Sequence, residues 1–281
     1  MQNQTVLVTG ANSGMGLATT IALARRGAHV VMLCRSQQRG NAALAEARAQ
    51  SGTDRIELML CDLGSLASIR AFAAAFLAKH STLDVLVNNA GVVTVKRQTT
   101  TDGFEAMLGV NHLGHFLLTQ LLLDAILRSP NGRIVNVSSG AHKIGRFDFD
   151  NPFLVKGYSP WRGYSQSKIA NIWFTRELAR RLALEGGSAT VNALHPGAVG
   201  TNIGVNRDTG FGKTVLRLLR PFFLTPEQGA DTAIYLATSP DVRGVSGEYF
   251  YQRLVAPISE LAQDDALARR FWDWSASQVG L

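Results

Sequence analysis

Short runs of β-branched and aliphatic residues alternate along the chain with longer stretches in which apolar positions recur every three or four residues. The first pattern reads as strand and the second as helix. Strands are predicted at Thr5–Val8, Ala28–Cys34, Arg55–Leu60, Val85–Asn88, Arg133–Val137, Thr190–Leu194 and Gly247–Tyr251. Helices are predicted over Gly14–Arg26 and Arg39–Gln50 and near 65–79, 104–128, 162–185 and 226–238. Strands that are apolar throughout need cover on both faces, and crossover helices supply it. The expectation is therefore one α/β domain over residues 1–281, a doubly wound parallel sheet of about seven strands whose first six follow the order 3-2-1-4-5-6.

Composition narrows this further. A length of 281 residues suits a single domain of this kind. With 46% hydrophobic and 17% charged residues, the chain builds a core, which excludes disordered and collagen-like classes. Lys and Arg number 28 against 21 Asp and Glu, a formal charge of +7 that favours an anionic partner. The basic residues are dispersed without interleaved aromatics, so no nucleic acid is expected. The longest apolar stretch, Phe116–Leu127, is interrupted by Thr119, Gln120 and Asp124 and falls short of a bilayer span, so no transmembrane segment is expected. The apolar run at Thr5–Thr9 is too short for a signal peptide. Two cysteines, Cys34 and Cys61, make neither a disulfide framework nor a metal spacing and point to the cytoplasm.

The chemistry starts at Thr9-Gly-Ala-Asn-Ser-Gly-Met-Gly16, where the first strand turns into the first helix. Glycines at such a turn let the backbone approach a pyrophosphate, which the N–H groups of the following helix receive. That makes the domain Rossmann-type and Gly10, Asn12, Ser13, Gly14, Met15 and Gly16 the expected phosphate cradle. Tyr164 and Lys168 lie four apart on a predicted helix and share one face. An ammonium there would pull the phenol down from its ordinary range and make it a proton donor near neutral pH. At the end of the second strand an NAD enzyme carries an acid for the ribose 2′-hydroxyl. This chain reads Leu33-Cys34-Arg35, and Arg35 and Arg39 can pair with a 2′-phosphate, so NADP(H) is expected. His112 and His115 have a spacing that can bind metal on a helix, but no third ligand accompanies them and no metal is expected.

The glycine turn, Asp62-Leu63, Asn88-Asn89-Ala90-Gly91, Asn111, Ser138-Ser139, Tyr164-x-x-x-Lys168 and Pro196-Gly197 resemble, in order and spacing, the short-chain dehydrogenase/reductase superfamily over the whole chain. Cys34-Arg35-Ser36, Asn111-His-Leu-Gly-His-Phe116, Ile134-Val-Asn-Val-Ser-Ser139 and the closing Phe271-Trp272 to Leu281 are similar to its retinol dehydrogenase-like branch, which includes relatives of protochlorophyllide reductase and WW-domain oxidoreductase. The resemblance implies an Asn111-Ser139-Tyr164-Lys168 catalytic tetrad. Tyr164 would act as general acid/base, Lys168 would also hold the nicotinamide ribose, Ser139 would meet the substrate carbonyl, and Asn111 would hold a water in a proton relay. It places Asp62 and Leu63 at the adenine and assigns Asn89, Ala90 and Gly91 to the cofactor. Pro196, Gly197, Val199 and Thr201 fall to the nicotinamide carboxamide, with hydride delivered from the pro-S face.

The stretch between Ser139 and Tyr164 is longer than in the family's compact members and carries Phe147, Phe149, Phe153, Tyr158 and Trp161. These aromatics either line an apolar pocket or pin the insert to the body. The family places a substrate lid at 202–224, where Val215, Leu216, Leu218, Leu219, Phe222 and Phe223 give an oily face flanked by Lys213, Arg217 and Arg220. Such a face also suits peripheral membrane contact. The reading is an NADPH-dependent reductase of an apolar aldehyde or ketone, or the reverse alcohol oxidation, as a monomer or homo-oligomer. Its rival is a non-catalytic NADP-binding sensor or scaffold, which has no need of the complete tetrad. Cys34 and Cys61 are expected at neighbouring strand ends beside the adenosine, either as small unreactive core residues or as thiols that bound NADP shields, with Arg35 then favouring the Cys34 thiolate.

Overall fold

The computed structural model describes residues 1–197 and 224–281. Its strands are β1 (Thr5–Thr9), β2 (His29–Cys34), β3 (Ile56–Leu60), β4 (Val85–Asn88), β5 (Arg133–Val137), β6 (Thr190–His195), β7 (Tyr249–Tyr251) and β8 (Leu254–Val255). The helices among the described residues are α1 (Gly14–Arg25), α2 (Gln37–Ser51), α3 (Leu66–Lys79), α4 (Ala106–Leu127), α5 (Pro160–Leu184), α6 (Pro226–Thr238), α7 (Glu260–Gln263) and α8 (Asp265–Val279). Shorter 3-10 turns complete them. All predicted strands and helices are present, with ends moved by a residue or two. The sheet runs β3-β2-β1-β4-β5-β6-β7-β8, parallel throughout except that β8 pairs antiparallel with β7. That makes eight described strands where about seven were expected. The added strand is a two-residue edge reached through Gln252 and Arg253, both at positive φ.

Side chains alternate across the sheet and define its two layers. Val6 and Val8 of β1, Val30 and Met32 of β2, and Val85 and Val87 of β4 face one core, under α1, α2 and α6. Leu7, Val31, Leu33 and Leu86 face the other, where Ile69, Phe72 and Phe76 of α3 and Phe116 to Leu118 of α4 cover them. Each helix start has a local cause. Ser36, Ser65 and Ser159 accept the N–H three residues on, and Thr225 and Gln228 form a capping box. Helix α4 has 22 residues and is apolar enough to cross a membrane, yet 78% of its apolar window is buried against this fold, packed on α3, α5 and α8. It is a core helix. Its residues Gly109–Leu113 form a π-helical turn. The strand order reverses between β1 and β4, so a crevice forms at their C-terminal ends, where ligands bind in open sheets of this kind.

Candidate functional site

The glycine turn is pressed against the end of β4. Gly10 has φ +64°, and a Cβ on it would lie 2.9 Å from Ala90 Cα and 3.3 Å from Asn89 Nδ2. One on Gly16 would collide with the Gly10 carbonyl oxygen and Asn89 Nδ2. Hydrogen bonds lock the approach. Thr9 Oγ1 accepts the N–H groups of Asn89 and Ala90, each at 2.9 Å, while Asn89 Nδ2 donates to the Thr9 carbonyl at 2.8 Å. His115 Nδ1 donates to the Asn111 carbonyl at 3.1 Å, which leaves Nε2 to accept the Thr9 hydroxyl at 2.9 Å. At α1, Ser13 makes no side-chain cap and no acid occupies the first turn, so among the described residues no side chain pairs with the opening N–H groups at the crevice mouth. Such a helix end receives a phosphate.

Arg35 and Arg39 are exposed where β2 passes into α2, and neither joins an ion pair among the described residues. Asp62 follows β3, with Oδ1 taking the Gly64 N–H at 2.9 Å, and Leu63 beside it is buried. Cys34 and Cys61 are adjacent, as expected, since the Cys61 N–H donates to the Cys34 carbonyl at 3.0 Å. Both thiols are buried, and burial raises them to about 11 and about 12. This is the unreactive core reading of the two expected, and the cation that opposes the rise at Cys34 is Arg39, not Arg35.

Ser139, Tyr164 and Lys168 come together across β5 and α5. Lys168 is 4% exposed. Its Nζ donates to the Val137 carbonyl at 3.1 Å and lies 5.5 Å from the centre of the Tyr164 ring. Burial pulls the ammonium down to about 8. Tyr164 departs from the expectation: burial raises its phenol above the ordinary range, and the hydroxyl that opposes the rise belongs to Ser139. Desolvation sets the direction at both groups, which are deeply buried. Ser138 Oγ is spent on the Lys168 carbonyl at 2.7 Å, which leaves Ser139 as the serine of the site. Asn111 lies in the π-helical turn, fully buried, accepting the Val92 N–H at 2.7 Å and donating to Val92 O at 3.0 Å and Ser167 Oγ at 3.1 Å. Gly91 adjoins it and Gly197, at φ +84°, follows Pro196 past β6. Val199, Thr201 and all of the lid but Leu224 lie outside the described residues.

Several polar contacts had no signal in the sequence. Asn88 Nδ2 donates to Thr119 Oγ1 and Asn136 Oδ1, and Asn136 Nδ2 donates to Thr175 Oγ1, tying β4 and β5 to α4 and α5. The His195 ring stacks on Tyr251 with centres 4.6 Å apart and accepts the Gly197 N–H. His112 joins Asn171 and Ser275 in the core, so it and His115 serve packing and orientation. The insert aromatics divide. Phe147 packs on Phe271 and Trp274, and Phe153 on Phe104 and Trp274, so they pin the insert to α8 and the entry to α4. Tyr158 Oη contacts Thr94, and Trp161, one turn before Tyr164, is exposed.

The family model for short chain dehydrogenase matches residues 4–210. Human retinol dehydrogenase 14 is 46% identical, with 100% of this chain and 88% of that protein covered. Human retinol dehydrogenase 13 is 44% identical over 99% of this chain and 85% of its own length. An uncharacterized protein from Mycobacterium paratuberculosis has a crystal structure that superposes with a TM-score of 0.79 at 35% identity, covering 99% of this chain and 94% of that one.

Proposed function

Because this chain belongs to the short-chain dehydrogenase/reductase family, in its retinol dehydrogenase-like branch, we propose that it is an NADP(H)-dependent oxidoreductase that interconverts an apolar aldehyde or ketone with its alcohol. The observation that carries this is the desolvated Lys168 ammonium beside the Tyr164 ring, with the Ser139 hydroxyl hydrogen-bonded to the phenol. A sensor or scaffold gains nothing from burying a lysine next to a phenol. The relatives' names point to a retinal-like substrate.

The residues present fit a dinucleotide. A Cβ at Gly10 or Gly16 would strike Ala90, Asn89 or the Gly10 carbonyl, so the glycines hold the turn close against β4, and the start of α1, without a side-chain cap from Ser13, offers N–H groups to a pyrophosphate. Gly10, Asn12 to Gly16, Asp62, Leu63, Asn89 to Gly91, Pro196 and Gly197 would hold it, with Val199 and Thr201. Arg35 and Arg39 would pair with the 2′-phosphate, where a carboxylate would repel it. The bound nicotinamide supplies or accepts the hydride. Ser139 Oγ hydrogen-bonds the substrate carbonyl and aims it at Tyr164, whose Oη gives its proton to the carbonyl oxygen in reduction and takes it back in oxidation. The Ser139 hydroxyl offsets part of the desolvation that holds the phenol up, Lys168 would hold the nicotinamide ribose, and Asn111 braces the segment at Val92. Free buried thiols fit a cytoplasmic setting.

The test is oxidation of NADPH and, separately, of NADH by the purified protein with a panel of aldehydes and ketones that includes retinal. NADPH turnover with apolar members is expected. Arg35→Asp should move the preference toward NADH, because an unpaired carboxylate replaces a charge-assisted partner. A wild type that already prefers NADH, or an unchanged ratio in the variant, overturns the cofactor assignment. No turnover with any member at saturating cofactor favours the sensor.

A further inference from the structure

At the opposite end of the sheet from the catalytic groups, three side chains far apart in sequence converge. His29 opens β2, Glu57 is the second residue of β3, and His80 immediately follows α3. Glu57 Oε1 lies 3.2 Å from His29 Nε2 and 2.6 Å from His80 Nε2, and the ligating atoms of all three lie within 4.8 Å of one another. We propose that His29, Glu57 and His80 form a binding site for a zinc-class divalent ion, clamping the outer edge of the sheet to α3.

Tetrahedral zinc has ligand bonds of about 2.0–2.2 Å, which sets its ligands roughly 3.3–3.5 Å apart. The donors stand 2.6 and 3.2 Å apart across the two Glu57 contacts and all within 4.8 Å, a range that brackets this spacing, so Glu57 and His80 must part and the imidazoles turn toward a shared centre. Their backbones are fixed independently. Val31 of β2 pairs with Glu57, the His80 N–H donates to the Phe76 carbonyl at 2.8 Å, and the His80 ring rests on the Phe76 ring at 4.8 Å. Two imidazoles and one carboxylate suit zinc, cobalt or nickel better than magnesium or calcium, which prefer oxygen throughout. The side chains are 31%, 25% and 15% exposed for His29, Glu57 and His80, so the ion has an entry path and water can complete the coordination. Each imidazole contacts the Glu57 carboxylate through Nε2, which is therefore the donor, so metal binding at Nε2 moves the proton of a neutral ring to Nδ1. No net proton change is required of a neutral ring. The competitor is Lys79, whose Nζ lies 3.4 Å from Glu57 Oε2 and which is exposed enough to swing away.

Calorimetric titration of the purified full chain with zinc chloride, with and without saturating NADP, is expected to show one ion bound per chain in both states. Cobalt(II) in its place should give the visible absorption of a tetrahedral site. His80→Gln and Glu57→Gln should each weaken zinc about tenfold or more, as loss of a ligand demands, whereas Lys79→Ala should tighten it by removing the competing ammonium. Circular dichroism checks that each variant folds. If His80→Gln does not fold, Glu57→Gln and Lys79→Ala decide. Absence of zinc binding by wild type, or an unchanged affinity in Glu57→Gln and Lys79→Ala, overturns the site and leaves a histidine–carboxylate hydrogen-bond cluster only.

Discussion

The cradle at the start of α1 and the cluster on α5 are built on opposite principles. In the cradle the side chains that shape the turn are already held by protein, and the first N–H groups of α1 are left for a ligand. Thr9 Oγ1 serves Asn89, Ala90 and His115, Asn89 closes back on Thr9, and the glycines leave no slack. On α5 the groups are buried with few partners. Among the described residues Lys168 has one hydrogen-bond acceptor, Val137 O, and desolvation moves both it and Tyr164 away from their ordinary values. A binding surface gains from being shaped before its ligand arrives, since less ordering remains to be done. A proton-transfer pair gains from a dry site, where charge interactions are strong once substrate and cofactor complete it. The cradle should therefore fail through shape and the cluster through charge.

The sharpest break comes from Tyr164→Phe. It removes one hydroxyl from the cluster and nothing from the cradle, so turnover should fall by about two to four orders of magnitude. The affinity for NADPH, followed by quenching of tryptophan fluorescence, should stay near wild type. Near-normal reduction by this variant would remove Tyr164 as the proton donor.

Gly16→Ala attacks the other region. The added methyl meets the Gly10 carbonyl and Asn89 Nδ2, so the turn must shift, at about 1–3 kcal/mol for an overpacked site. Cofactor affinity and thermal midpoint should fall together. Gly91→Ala sharpens the comparison, because its Cβ would make ordinary contact with Asn111 Oδ1 at 3.6 Å. Its thermal midpoint should be close to wild type. Equal loss of stability in the two variants, by scanning calorimetry, would deny the cradle its tight shape.

How much of this was legible follows the range of the interaction. Val85–Asn88 and Arg133–Val137 fall where the apolar runs place them, because strands covered on both faces write their burial directly into composition. The glycine turn and the Tyr164–Lys168 spacing are local and could be read. The bridge from Thr9 to Asn89 and His115 joins residues 80 and 106 positions apart, and no short pattern carries it. Helix α8 went unpredicted although Ala268, Phe271, Trp272, Ser275 and Val279 follow helical spacing, because it lies beyond the last parallel strand, where alternation demands no crossover. The raised phenol of Tyr164 was also beyond reach. The Tyr164–Lys168 spacing shows in the sequence, but the depth of burial that raises the phenol depends on how β5, α5 and the 3-10 turn at Gly140–Ile144 pack.

The last test draws on one neutral histidine from each region. His115 orients Thr9 in the cradle, and His112 holds Asn171, which shares the Val137 carbonyl with Lys168. Burial pulls both rings far down, His115 to about 4 and His112 to about 3, from an ordinary 6.5. The unfolded chain therefore takes up protons below about pH 6.5 that the folded chain refuses. Stability from the neutral rings is fully present above pH 6.5 and is lost as pH falls toward the folded values, by at most about 1.4 kcal/mol per pH unit for each histidine. Urea unfolding at pH 7.5, 6.5, 5.5 and 5.0 reads this window before most carboxylates titrate. The curve should be nearly flat at the top and steepen below pH 6.5. His115→Asn should flatten the lower limb and also weaken the cofactor. His112→Asn should flatten it with cofactor affinity kept, because its partners lie behind the catalytic groups. A pH slope unchanged in both variants would mean that neither buried ring is held neutral.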